Sequence, residues 1–314
     1  MLLAITLLAG LIGASQGICP PAEWIAPHCI CKNNNGDAVM TCSNLYNPDD
    51  LMKPFQMVSA KKYHIFSIQI NNSSLLYIPH NAFKGGNFER IRFYQSQVMS
   101  LSDNDIAFEG LEDTLEELRA TEASYVTQWD WQQLRRLQKL RLIDINMINM
   151  GSVDEVLPPL KNLEALGITK AGLTYIVDFA FENLSGLKIL NLMDNSIKEV
   201  TRSMLPNPAS ELLFLDLSNN EISSIPKNFF QNMPQLAHVA LSDNRLTVLP
   251  EDTYKWTVQN LQSLLLGGNQ FICDCRMRWL IGRRLPYEFT PTCAVPKSLA
   301  GKSVHHVDFR DFRC

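Results

Sequence analysis

The sequence has no cysteine between Cys42 and Cys273, so no disulfide can staple the middle of the chain and packing alone must hold it. Histidine is scarce too: His28, His64, His80, His238, His305 and His306 are all there are. No His-Glu-x-x-His, Gly-x-Ser-x-Gly or phosphate-cradling glycine loop occurs, which removes the commonest metal-hydrolase, serine-hydrolase and nucleotide-dependent chemistries. Basic charge is not in excess. Lys plus Arg number 28 against 32 Asp plus Glu, so no positive field draws in a phosphate backbone and nucleic acid is not an expected partner. Beyond the first residues no apolar run is long enough to span a bilayer, and no apolar tail precedes Cys314, so the product is expected to be released, with no membrane span.

What is present begins with MLLAITLLAGLIGASQG, an apolar core too short for a bilayer and ending in small residues, which reads as a signal peptide over residues 1–17. The expected location is secreted and extracellular, where thiols oxidise. The eight cysteines fall into two groups, Cys19, Cys29, Cys31 and Cys42, then Cys273, Cys275, Cys293 and Cys314. Four cysteines permit three connectivities in each group. Disulfides fit this setting better than zinc, and neither a metal nor any other cofactor is expected.

Between the groups a Leu-x-x-Leu-x-Leu phase recurs from Ile65, Phe88, Leu115, Leu137, Leu163, Leu187, Leu212, Leu236 and Leu261. The steps run from 22 to 27 residues, within the range for one short strand plus a return segment. One such unit cannot bury its own apolar edge; stacked units can, with the first, fourth and sixth positions pointing inward. Asn195, Asn220, Asn244 and Asn269 recur at one position, where an amide can satisfy the inward-turning backbone of neighbouring units. The earlier units carry Ser73, Ser96, Ala123, Ile145 and Ala171 there and need another closure. Phe83, Phe181 and Phe230 recur on the return side as a spine. The predicted fold is α/β, a right-handed curved solenoid of about nine leucine-rich repeats with a parallel concave sheet. At about 4.8 Å per strand that sheet offers roughly 40 Å of surface. The expected organisation is a leader (1–17), an N-terminal cysteine cap and lead-in (18–64), the solenoid (65–272) and a C-terminal cysteine cap (273–314).

These repeats, with CPPAEWIAPHCICKNNNGDAVMTC before them and NQFICDCRMRWLIGRRL after, resemble the extracellular leucine-rich-repeat family with cysteine caps. The resemblance implies the pairs Cys19–Cys31, Cys29–Cys42, Cys273–Cys293 and Cys275–Cys314. More narrowly, the chain resembles an arthropod group that includes the non-catalytic subunit of a deep-sea shrimp luciferase, which implies a secreted accessory chain beside a small catalytic partner.

The outward strand positions carry the candidate binding residues. Arg92, Arg119 and Arg141 share the fifth position of consecutive units on this alignment, flanked by Tyr94 and Phe66. Stacked guanidiniums repel unless answered, and Glu89, Glu116 and Glu122 answer in part, so an incoming carboxylate would complete the neutralisation. Facing solvent, the three arginines are expected to matter for binding and little for stability. Asp144, Asp194, Asn219 and Asp243 form an acidic column at the eighth position. Paired carboxylates for catalysis need a pocket that separates their pKa values, and a broad sheet face supplies none, so no enzyme is expected. Trp129 and Trp131 lie on a return arm, one expected in the core and one as an exposed contact. Asn71, Asn72 and Asn183 head glycosylation sequons. The expectation is a non-enzymatic protein binding a secreted or extracellular protein through its concave face; the alternatives are an accessory subunit of a secreted luciferase-like oxidase and a matrix component.

Overall fold

The structure, a computed structural model, describes residues 17–123 and 129–314. The expected leader lies outside these residues apart from Gly17. The fold is α/β: mostly parallel strands, each followed by a return arm, with short helices and a disulfide pair at either end, as in a leucine-rich-repeat solenoid. Two compact units divide it, one reaching Asn149 and including Pro158–Leu166, the other comprising Met150–Leu157 and Gly167–Cys314.

The first unit runs α1 (Ala22–Ile25), β1 (Cys29–Asn34), β2 (Asp37–Ser43), α2 (Asp49–Ala60), β3 (His64–Asn71), β4 (Ser74–Tyr77), β5 (Asn87–Tyr94), β6 (Gln97–Ser100), β7 (Glu117–Thr121) and β8 (Leu142–Asn146). β1 and β2 form an antiparallel hairpin, after which β3, β5, β7 and β8 add in parallel. The bonds Cys19–Cys31 and Cys29–Cys42 hold the hairpin. α2 carries Asp49 and Asp50 in its first turn, where the helix dipole favours them, and buries Leu51, Phe55 and Val58. Phe55 meets Phe83 and Phe88 edge-on at 4.8 and 5.8 Å, an aromatic spine under the first strands.

The second unit contains β9 (Ser152–Val153), part of β10 (Ala165–Thr169), β11 (Tyr175–Ile176), β12 (Ile189–Asn191), β13 (Phe214–Asp216), β14 (His238–Ala240), α3 (Glu251–Asn260), β15 (Ser263–Leu265), β16 (Phe271–Ile272), β17 (Glu288–Phe289) and β18 (Cys293–Val295). β12, β13, β14, β15 and β17 pair in parallel in that order. Leu187, Leu190 and Leu192 are buried, as are the corresponding Leu212, Leu215 and Leu217. Burying each such side chain contributes about 2 kcal/mol. Cys273–Cys293 and Cys275–Cys314 close this end.

One repeat differs in phase from the sequence alignment. Glu117 pairs with Leu142 and Arg119 with Asp144, so the fourth unit begins at Leu140 rather than Leu137. Its inward residues are Leu140, Ile143 and Ile145. Leu137 is buried as well, but on the return arm, at the position that Leu160, Leu184 and Met233 hold three residues before their own units begin.

A left-handed residue follows ten strands of the main sheet, β2, β3, β5, β7, β8, β10, β12, β13, β14 and β15, one to three positions beyond the strand end. Asn44, Asn72, Gln95, Glu122, Met147, Lys170, Asp194, Asn219, Asp243 and Gly268 all have φ between 46° and 73°. Asn and Asp tolerate that conformation better than other side-chain-bearing residues. The column of Asp194, Asn219 and Asp243 therefore has a conformational origin, and Asp144 does not belong to it.

Immediately after this turn the chain faces inward, and the next residue satisfies it. Asn220 Oδ1 accepts from the Ile197 amide at 3.0 Å, while its Nδ2 donates to Leu192 O and Leu217 O, both at 3.0 Å. Asn195, Asn244 and Asn269 repeat the pattern, each reaching back to the preceding strand. In the first two repeats of the first unit a hydroxyl replaces the amide: Ser96 Oγ accepts from the Ser73 amide at 3.2 Å and donates to Ile70 O at 2.9 Å, and Ser73 Oγ accepts from Leu45 N at 3.1 Å.

Asn220→Ala leaves buried backbone groups of two repeats without partners and is expected to cost about 2 to 3 kcal/mol in urea unfolding; a change under about 0.5 kcal/mol would mean that water replaces the amide. Met147→Gly removes a left-handed side chain and is expected to stabilise by about 0.5 to 1 kcal/mol, read from the same titration.

Candidate interaction surface

On the strands of the first unit the outward positions are the second, third, fifth and seventh. The third position, which carries Arg90 and Glu117, organises the face. Glu117 is 7% exposed and draws in three guanidiniums. Arg92 donates to Oε1 from Nε at 2.8 Å and approaches it with Nη2 at 2.7 Å, Arg119 Nε donates to the same oxygen at 2.8 Å, and Arg90 Nη1 lies 3.7 Å from Oε2. Arg119 also donates through Nη1 to Asp144 Oδ2 at 2.8 Å. Arg90 stacks on Phe66, its guanidinium carbon 4.0 Å from the ring centroid. Tyr94 stands at the end of β5, 44% exposed, with Asn71 and Thr121 as its strand neighbours.

The arginine stripe is thus two residues long. Arg92 and Arg119 are neighbours in register, but Asp144 occupies the place expected for Arg141. Arg141 lies at the second position, its amide donating to Glu116 O and its Nη2 to Glu164 at 3.0 Å. The stripe is also answered from within. Glu89 bonds His64 at 2.7 Å and Glu122 accepts from Gln95 at 2.7 Å, so the main countercharge is Glu117. Sorting the third column of the sequence, Arg90 above Glu117, is the signal that reveals it.

The charges tune one another. Burial alone pushes the Glu117 carboxyl up, but the charges of Arg119, Arg92 and Arg90 and the hydrogen bond from Arg119 outweigh it and hold it below the ordinary glutamate range. Asp144 moves the other way: burial raises it, Glu117 adds to the rise, and Arg119 recovers only part. Two carboxylates with separated pKa values are a catalytic pattern elsewhere. Here Arg119 bridges them, occupying the gap where a scissile bond would lie.

The corresponding face of the second unit mixes apolar and polar residues. Its third column reads Ile189, Phe214, His238, Ser263 and Glu288 across paired strands. Phe214 and His238 rings are 6.2 Å apart, and Leu213 beside them is 45% exposed. Ser263 stands between the imidazole and Glu288, whereas a nucleophile, base and orienting carboxylate require the imidazole in the middle. Asp216, at the fifth position, is buried; desolvation raises its carboxyl, while hydrogen bonds from Ser218 oppose the rise.

Trp129 and Trp131 are both in the core, which corrects the expectation of one exposed contact. Trp129 Nε1 donates to Val98 O at 2.9 Å, and the two rings sit 6.1 Å apart. Of the sequon asparagines, Asn72 is exposed and Asn71 half-buried. Asn183 is half-buried with its Nδ2 donating to Leu157 O at 3.1 Å. His305 and His306 stand 6.5 Å apart in the last segment, where His305 meets Phe289 O at 3.2 Å. Among the described residues no group of three or more His, Cys, Asp or Glu is disposed to hold a metal, and no helix is long and apolar enough to cross a membrane.

A leucine rich repeat family model matches residues 210–271. Trophoblast glycoprotein of Mus musculus is 30% identical over 137 residues, which are 42% of this chain and 32% of that protein. The chain thus spans about a third of the length of the first mammalian relatives it matches. The Oplophorus-luciferin 2-monooxygenase non-catalytic subunit of Oplophorus gracilirostris is 24% identical over 321 residues, covering 92% of this chain and 86% of that one. Among solved structures, a chain from the octameric complex of Latrophilin 3, Unc5D and FLRT2 superposes with a TM-score of 0.62 at 20% identity, covering 88% of this chain and 90% of its own. The chain is related to several kinds of leucine-rich-repeat protein with disulfide caps.

Stability should follow pH through the two carboxylates. Glu117, depressed in the fold, contributes stability above the ordinary glutamate pKa that is lost as pH falls through its native value; Asp144, raised, has the opposite sign and stabilises toward acid. Glu117→Gln is expected to cost about 3 kcal/mol at neutral pH and to show a shallower loss toward acid in urea titrations from about pH 7 to pH 3. Parallel curves for variant and parent would show that Glu117 titrates as an ordinary surface group.

Proposed function

We propose that this chain is a secreted, non-enzymatic recognition protein that binds a protein partner through the solvent face of the first unit's strands. The observation that carries this reading is the Glu117 lattice. It fixes Arg92 and Arg119 while leaving their side chains 35% and 28% exposed, beside an exposed Tyr94. Holding rotamer-rich side chains in place before binding removes part of the entropic cost of association, and arginine and tyrosine are the residues that most often anchor interfaces. The attraction for a partner carboxylate comes from donors prepared by Glu117, rather than from repulsion between unanswered guanidiniums. Export is supported by the leader-like first residues and by the absence of any free cysteine.

A second reading has its own support. The likeness to the shrimp non-catalytic subunit runs along nearly the whole of both chains, and a role as accessory chain to a small secreted oxidase follows if that likeness extends to function. The partner distinguishes the readings: capture from the native secretion yields a stoichiometric small oxidase in the second case, another protein in the first, and a polysaccharide or matrix polymer if the chain is structural.

Replacing the lattice arginines would disturb folding, so the test uses the rim. Tyr94→Ala is expected to leave unfolding nearly unchanged and to weaken calorimetric binding of the captured partner about tenfold, or 1.4 kcal/mol. Equal affinity of variant and parent would remove this face as the binding site.

A further inference from the structure

The return arm between β12 and β13 buries a cation. Arg202, in the short turn Arg202–Met204, is 7% exposed. The residues at the same repeat position on the flanking arms, Asp178 and Lys227, are exposed, so the repeat geometry does not itself bury this position. The partners of its guanidinium are neutral: Nε donates to Gln231 O at 2.8 Å, Nη2 to Asn207 Oδ1 at 3.2 Å and Nη1 to Leu205 O at 3.4 Å. Five N–H groups are available and these bonds use three. Burial pulls the guanidinium below its ordinary pKa. A buried charge without a countercharge is costly, so an anion that reaches this guanidinium relieves part of that cost.

Space for it exists. Arg202 lines a pocket of about 550 Å³ with Phe179, Leu205 and Pro226 as apolar walls and Asn228 and Glu182 as polar ones. Phe179 is 52% exposed and holds φ of 68°, a left-handed conformation that is rare for an aromatic residue and that concentrates where function requires it.

We infer that this pocket binds a monocarboxylate with an apolar body, the acid on Arg202 and the apolar part against Phe179. The planar fork of a guanidinium matches a carboxylate. Phosphate and sulfate dianions fit less well, because Glu182 shares the lining and Asp178 lies just behind it, accepting hydrogen bonds from Thr201 and Ser203. A free organic acid and the C-terminus of a peptide ending in an aromatic residue present the same chemistry.

Titration calorimetry of the full chain with sodium phenylacetate, in chloride of matched ionic strength, tests the site. Saturable binding with Kd of about 1 mM or tighter is expected. Arg202→Gln should abolish it. Because Arg202 also ties the arm to Gln231, the deciding variant is the exposed Glu182→Gln, which should bind about threefold more tightly through loss of one repelling charge. A tripeptide ending in phenylalanine, free or amidated, separates the sources: tighter binding of the free peptide than of phenylacetate points to a chain terminus, the reverse to a small acid. No saturable heat in the parent, or unchanged affinity in Glu182→Gln, overturns the proposal.

Discussion

The tight inward turn at the end of each strand is the constraint on which the rest depends. A parallel strand followed by a return arm must reverse within one or two residues, and the reversal exposes backbone donors and acceptors to the interior, where an unmade hydrogen bond is costly. The chain meets this with a left-handed residue that makes the bend and, in most repeats, a following side chain that reaches back to the preceding strand. At Asn195, Asn220, Asn244 and Asn269 of the second unit that side chain is an asparagine amide, able to accept and donate at once. At Ser73 and Ser96 of the first it is a serine hydroxyl, with shorter reach, while Ala123 and Ala171 have no polar side chain to offer.

The strands of the first unit use their outward face differently from those of the second. Glu117, nearly buried between two strands, fastens Arg92 and Arg119, and Arg119 is fastened again by Asp144. A lattice of this kind has two consequences that pull against each other. It makes the arginines necessary for stability, since removing them strands a buried carboxylate, and so they are not the freely substitutable surface residues that an outward position suggests. It also presents their remaining donors in fixed positions, which is what a binding surface needs. The second unit places Phe214, His238 and Leu213 there instead.

The repeat and its inward residues were legible in the sequence because burial imposes a periodic pattern, and Asn220 and its equivalents could be read because four amides in register have a single physical explanation. The phase of the fourth repeat was not legible. Leu137, Leu140 and Leu142 match the repeat as well as Leu140, Ile143 and Ile145 do, and only the pairing of Glu117 with Leu142 separates the two. That slip of three residues turned a pair of arginines into a stripe of three and set Asp144 in a column of turn residues. Arg202 was hidden for a different reason: its burial depends on how its own arm folds, while its repeat equivalents are exposed.

Tyrosine iodination followed by mass spectrometry, on the free chain and on its complex with the captured partner, tests most directly where recognition occurs. Tyr46, Tyr94, Tyr175 and Tyr287 are 71%, 44%, 56% and 97% exposed and lie on different parts of the two units, so each reports on its own surroundings. Binding through the first unit's strand face requires Tyr94 to be protected in the complex while Tyr175 and Tyr287 react as they do in the free chain. Full reactivity of Tyr94 in the complex, with protection at Tyr175 or Tyr287, would contradict it.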